Sequence, residues 1–229
     1  MYIKATQDLG TLTQSLKIIS QILIEKKIEH FIFFGTLLGL IRNERLIKGD
    51  DDIDFYVNIK HRDKLINTLI HKKIDVLLNK KPNKTNFFLQ INLKYKQNQS
   101  KVDFYFYDTN TYNRYILDKW NFDGKPFDNR KFLKIPKVFI FPIKTKKIRN
   151  ITVQLPNKPE LTCEYIYGDK WKQKIKKDIQ YEMRIIDGKP VLISYLNSYK
   201  KFLAPFRFKN VYISLKKLIF SLINLKNIK

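Results

Sequence analysis

The sequence predicts an α+β fold: a mixed β-sheet flanked by helices, with an irregular or helical C-terminal extension. Three observations carry this. Leu12, Leu16, Ile19, Ile22 and Leu23 recur at three- and four-residue steps, the spacing of one buried helix face. The stretches HFIFFG and IDFYVNI read as short apolar strands. NFFLQINLKY and KVDFYFYD flank the polar stretch KQNQS as the two arms of a hairpin.

The elements follow in order. An amphipathic helix occupies roughly residues 11–28. The strand HFIFFG stops at Gly35, and Leu37 to Ile41 form a short helix or turn. IDFYVNI leaves an acidic cluster as a strand, and HRDKLINTLIHKKI is a helix with Leu65, Leu69 and Ile70 inward. After the hairpin, Thr109 to Phe132 show no clean period and read as irregular. FIFPIKTKKIRNITVQLP gives two short strands around a basic turn. PELTCEYIYGDKW opens with Pro159, suited to a first helical turn, and stops at Gly168. The stretch from Phe202 to Lys229 mixes Leu, Ile and Phe with Lys. These divisions suggest a catalytic domain over residues 1–172 and a partly helical, basic extension over 173–229.

Composition narrows the function. With 44% hydrophobic and 14% aromatic residues the chain can bury a core. A formal net charge of +24 favours anionic partners, although Lys scattered among Ile and Asn also follows an A/T-rich coding bias. A single cysteine, Cys163, excludes an internal disulfide framework and a Cys-based zinc site. His30, His61 and His71 lack metal-ligand spacing. The N-terminus has no signal-peptide pattern, and no run of about 18 apolar residues occurs, so a reducing, cytoplasmic setting is expected.

Against this basic background, Asp50, Asp51, Asp52 and Asp54 put four of 21 acids within five positions. A lone Asp-x-Asp is more often a solvated acidic turn, but here the context differs. Asp52 and Asp54 flank Ile53 on a strand, so their carboxylates share a face. Adjacent carboxylates repel, and a hard divalent ion relieves them while also binding substrate phosphates. Gly35 and Thr36 follow an apolar strand and open a helical turn whose amides can meet phosphate. Arg42, between the two, can clamp phosphate oxygens. Asp103 begins VDFYFYD, with Phe104 and Phe106 toward the core. If that strand neighbours Asp52–Tyr56, three carboxylates converge. The aromatics of FDGKPFDNRKFLKIP, with Tyr105 and Tyr107, are core residues or acceptor-groove residues.

GTLLGLIRNERLIKGDDDIDFYV resembles the signature of the LicD/fukutin family of phosphotransferases, which have a nucleotidyltransferase-like fold. The match comprises Gly35, Thr36, Leu37, Leu38, Gly39, Arg42, Asp50, Asp51, Asp52, Ile53 and Asp54. VDFY matches the strand carrying the third aspartate at Asp103. LPNKPELTCEYIYGDKW matches a later segment at Pro156, Tyr167, Gly168 and Trp171. The likeness covers roughly residues 10–172. Lys48-Gly49 stands where the family usually has Pro-Trp, and no Pro follows Trp171.

The resemblance implies transfer of a phospho-substituent, such as phosphocholine or an alditol phosphate, from a CDP-linked donor to a sugar hydroxyl of a glycan or glycolipid, releasing CMP. Asp52, Asp54 and Asp103 would be the catalytic residues and would hold Mg²⁺ or Mn²⁺, with Asp103 as third ligand or base. Gly35, Thr36, Arg42, Asp50 and Tyr167 would meet the substrate and its phosphates. No nucleic-acid partner is expected. The tail, with Leu215, Leu218, Ile219 and Leu222 beside Lys216, Lys217 and Lys226, fits either an anionic membrane surface or ordinary docking. Rival readings are an Asp-x-Asp glycosyltransferase and a small-molecule nucleotidyltransferase.

Overall fold

The computed structural model describes residues 8–72, 74, 76–77, 87–95, 97–109, 114–118, 133–174, 179–186 and 188–196. The chain divides into two units, residues 1–173 with 184–191, and residues 174–183 with 192–229. The site described below belongs to the first.

Helix α1 (Leu9–Glu25) begins at Asp8, whose carboxylate accepts the Thr11 N–H at 2.8 Å and its hydroxyl at 2.7 Å. This caps an otherwise orphaned amide. Leu12, Leu16, Ile19 and Leu23 are fully buried on one face, as their spacing predicts. Strand β1 (His30–Ile32) leads into helix α2 (Phe34–Asn43), longer than the short helix or turn expected. Strand β2 (Asp52–Asn58) is followed by a 3₁₀ turn and helix α3 (Arg62–His71). In α3, Leu65 and Leu69 are buried one turn apart, but Ile70 is 53% exposed, contrary to expectation. Ile70 lies about 100° around the helix from Leu69 and so leaves the inward stripe.

The hairpin is present. Strand β3 (Val76–Leu77) precedes strands β4 (Phe88–Tyr95) and β5 (Asn98–Asp108), which pair from Tyr95↔Asn98 onward. Most of KQNQS is therefore strand rather than turn. Strands β6 (Tyr115–Asp118) and β7 (Leu133–Pro136) and helix α4 (Lys137–Ile140) lie in or beside the region read as irregular. The rest of that region, residues 110–113 and 119–132, lies outside the described residues. Strands β8 (Lys144–Ile148) and β9 (Ile151–Leu155) form the basic-turn hairpin, and helix α5 (Pro159–Tyr167) ends at Gly168 as predicted. Strands β10 (Ile179–Ile186) and β11 (Lys189–Leu196) form a two-stranded sheet that the sequence reading did not anticipate. The tail from residue 197, including the amphipathic stretch, lies outside the described residues.

The main sheet runs β1-β2-β5-β4-β3, with β6 and β7 continuing from β5. All of its pairings are antiparallel except β2 with β5. Helix α1 packs on β2, β4, β5 and β9, and Ser15 and Ser100 join it to β5 at 2.6 Å. Phe55, Tyr56, Phe104 and Phe106 are fully buried, so β2 and β5 are central strands covered on both faces. The parallel pairing matters most for function. It places Asp54 directly beside Asp103 and Asp52 beside Lys101, so the starts of both runs lie at one end of the sheet.

Candidate active site

The convergence expected of three carboxylates is met. Asp52, Asp54 and Asp103 each offer an oxygen within 4.8 Å of the others. Asp54 and Asp103 are 5% and 6% exposed, and Asp52 is half-buried. Register accounts for this. Residues paired across parallel strands point their side chains to the same face, and Asp52 and Asp54 are two apart on one strand.

Helix α2 supplies the second wall. The Thr36 hydroxyl accepts the Asp54 backbone N–H at 2.9 Å and is itself buried. The structure thus brings Thr36 into the site as a partner of Asp54. The amides of Phe34, Gly35 and Thr36 fall in the first turn, where helix geometry provides no intrahelical acceptor. Gly35 and Gly39, one turn apart, share a face on which the following loop folds back. A Cβ on Gly39 would stand 2.7 Å from the Arg45 carbonyl oxygen and 3.0 Å from the Ile47 nitrogen. A Cβ on Gly35 would stand 2.7 Å from an Asp50 carboxylate oxygen. Gly39 is needed for that close backbone approach, and Gly35 leaves room for the Asp50 carboxylate over the start of α2.

Arg42, in the last turn of α2, holds its Nε buried with no hydrogen-bond partner. Helix α5 packs on α2 and brings Tyr167 to the group. Burial, then the charge of Asp54, pushes the Tyr167 hydroxyl well above its ordinary pKa, with Asp50 adding to the effect and Arg42 opposing it. The predicted substrate residues Gly35, Thr36, Arg42, Asp50 and Tyr167 therefore surround the three carboxylates.

Sequence reasoning missed two residues. Gln90, paired with Asp103 across β4 and β5, donates its Nε2–H to Asp103 Oδ1 at 2.8 Å. Lys101 places its Nζ 3.4 Å from Asp51 Oδ2. Once the register is known, both are legible as polar residues on the alternating face that carries Asp103. Without it, nothing marks them.

The electrostatics are those of uncompensated acids. Burial, reinforced by the Asp52 charge, raises Asp50 to about 7. Burial raises Asp103 to about 7 as well, against the Gln90 hydrogen bond that favours its ionised form. Asp52 is raised by burial and by Asp51. Asp54 is raised well above the carboxylate range by burial and by Asp52, Asp103 and Asp50, and the Thr36 backbone N–H opposes this. A cluster that destabilises its own ionised form is suited to a divalent cation. The donors are all carboxylate oxygens, which fits a hard ion such as Mg²⁺ or Mn²⁺ and not a thiophilic one. Asp50, Asp51 and Asp52 form a second close group sharing Asp52.

The chain is similar to two solved structures of antibiotic-modifying enzymes. One is the lincosamide antibiotic adenylyltransferase LnuA bound to lincomycin, at 12% identity and a TM-score of 0.46, covering 68% of this chain and 85% of that one. The other is the antibiotic-resistance factor ANT(2'')-Ia, at 13% identity and a TM-score of 0.39, covering 63% and 66%. Among curated proteins none matches. The nucleotidyltransferase domain of LicD/FKTN/FKRP matches residues 27–158, a span that holds every site residue named above except Tyr167. With more than half its length matched, the chain belongs to the LicD/FKTN/FKRP family and is a nucleotidyl- or phosphotransferase-type enzyme of the nucleotidyltransferase fold.

Proposed function

We propose that this enzyme transfers a phospho-substituent, phosphocholine-like or an alditol phosphate, from a CDP-linked donor to a sugar hydroxyl of a glycan or glycolipid. The convergence of Asp52, Asp54 and Asp103 beside the start of α2 is the observation that carries this reading. In the reaction the acceptor oxygen bonds to the outer phosphorus of the donor. The bond from that phosphorus to the bridging oxygen breaks, and CMP leaves with the electron pair.

Such a transfer depends on positioning and on neutralising charge more than on covalent chemistry. Asp52, Asp54 and Asp103 would hold Mg²⁺ or Mn²⁺, which when bound neutralises charge on the diphosphate. Arg42, with its unpartnered Nε, would meet phosphate oxygens. Gly35 keeps the backbone open to close approach, and Thr36 holds Asp54 in place. Asp103 would serve as third ligand or take the acceptor proton. Tyr167 and Asp50 would line the donor side.

The test is release of CMP from a panel of CDP-linked donors with Mg²⁺ or Mn²⁺, beside UDP-sugars and NTPs, with a glycan extract as acceptor. CMP release from one donor, lost in Asp52→Ala and Asp54→Ala, is expected. UDP release or pyrophosphate release would replace this reading with a glycosyltransferase or a nucleotidyltransferase.

A further inference from the structure

The face of the sheet that carries the three carboxylates holds a further polar residue, in the same row as Asp52. Lys101 is two residues before Asp103 on β5, so it shares that face, and it pairs in register with Asp52. Its charge reaches both neighbours, favouring the ionised form of Asp52 and of Asp103. Yet its ion-pair contact is with neither. Nζ lies 3.4 Å from Asp51 Oδ2, with the two side chains 37% and 48% exposed. An ion pair that long and that open contributes little stability, so it yields readily to a better anion.

Charge counting asks for such a cation. Asp50, Asp51, Asp52, Asp54 and Asp103 gather at one end of the sheet. One divalent ion offsets two of those charges, and a diphosphate would bring more negative charge to the same place. Arg42 is one protein cation available to it.

We propose that Lys101 is a second phosphate-binding residue of this enzyme, leaving Asp51 to meet the donor's phosphate oxygens. The inference rests on the metal–phosphate reading above and adds a residue to it. An ammonium suits the role as a mobile point charge on a flexible stem, whereas the Arg42 fork is fixed. Asp51 holds Lys101 near the rim until phosphate arrives. The competing role is purely local: Lys101 neutralises the acidic cluster and never touches substrate.

Calorimetric titration separates the two, with Mn²⁺ alone as one probe and inorganic pyrophosphate added to Mn²⁺-saturated protein as the other. Phosphate binding predicts that Lys101→Met weakens pyrophosphate at least tenfold, that Lys101→Arg retains most of the affinity, and that Asp51→Asn leaves it equal or tighter. Local neutralisation predicts that Lys101→Met tightens Mn²⁺ and leaves pyrophosphate unchanged, which would overturn the proposal. Equal loss in Lys101→Met and Lys101→Arg would also overturn it, because charge would not be the operative property. Pyrophosphate binding in the wild type with no loss in Lys101→Met removes Lys101 and spares the metal–phosphate site. No binding in the Mn²⁺-saturated wild type overturns both.

Discussion

Buried or half-buried acids sit beside both ends of strands β2 and β5, and the two ends treat them oppositely. At the far end Glu29 accepts hydrogen bonds from Asn58 and from the Tyr107 hydroxyl, both at 2.7 Å, and pairs with Lys60 at 3.4 Å. Burial pushes its pKa up, but these donors outweigh burial and hold it below the ordinary carboxylate range. At the near end Asp50, Asp52, Asp54 and Asp103 are all raised, chiefly by burial and then by neighbouring carboxylates, Asp51 among them. An acid whose partners are built into the fold is part of the scaffold. Acids left repelling each other at a sheet end need something the chain does not provide, and that marks a site.

The largest way to break this contrast is at Asp54. Asp54→Ala should cut CMP release by more than about a hundredfold, near 3 kcal/mol of barrier. It should leave the melting temperature of the metal-free protein equal or higher, since a buried carboxyl that the fold keeps from ionising is gone. Parallel kinetics and melting curves check this. A variant that is both inactive and much less stable would place Asp54 with Glu29, as scaffold.

Next comes the response to metal. Saturating Mn²⁺ at about a hundred times its Kd should add roughly 2.7 kcal/mol, or about 5–10 °C for a chain of this size. The gain should depend on pH. Unfolded carboxylates titrate near 4, while Asp50 and Asp103 in the metal-free fold titrate at about 7. Between those values the folded chain holds protons that the unfolded chain has released, so metal-free stability contributed by these groups falls as pH rises through the window. Glu29, with a lowered pKa, has the opposite sign and loses its contribution as pH falls below its unfolded value. His30, buried and lowered to about 4, also costs stability as pH falls from about 6.5. The difference between wild type and Asp103→Asn isolates one group: the variant should show a shallower decline between about pH 4 and 7, keeping the part that Asp50 contributes.

Glu29→Ala should show the converse of Asp54→Ala. Leaving Asn58 and Tyr107 without their acceptor should cost about 2 kcal/mol, roughly 5 °C, with the Kd for Mn²⁺ unchanged. Smaller again are the two glycines. Gly39→Ala drives a methyl into the Arg45 backbone and should cost about 1–2 kcal/mol. Gly35→Ala meets only the end of the Asp50 side chain, so its stability cost should be less, and its main effect should be a raised KM for donor.

The near end was largely legible in the sequence and the far end was not. Asp52, Asp54, Arg42 and Gly35 lie close together in sequence, and Asp103 followed from an apolar strand beginning with an acid. What remained conditional was whether β2 neighbours β5, because a parallel pairing across dozens of residues leaves no local trace. Gln90 and Lys101 acquire meaning only from that register. The Glu29 network joins residues 29, 58, 60 and 107, which no motif connects. Strands β6 and β7 were missed because they are only four residues each, too short to show a period. Ile70, expected inward with Leu65 and Leu69, sits off their stripe on the helix and is exposed.

Titration of Mn²⁺ into wild type, Asp54→Asn and Glu29→Gln, followed by calorimetry, tests the central contrast most directly. The account predicts saturable binding to wild type and to Glu29→Gln, and at least a hundredfold weaker binding to Asp54→Asn. Undiminished binding to Asp54→Asn, or none to wild type, would contradict it.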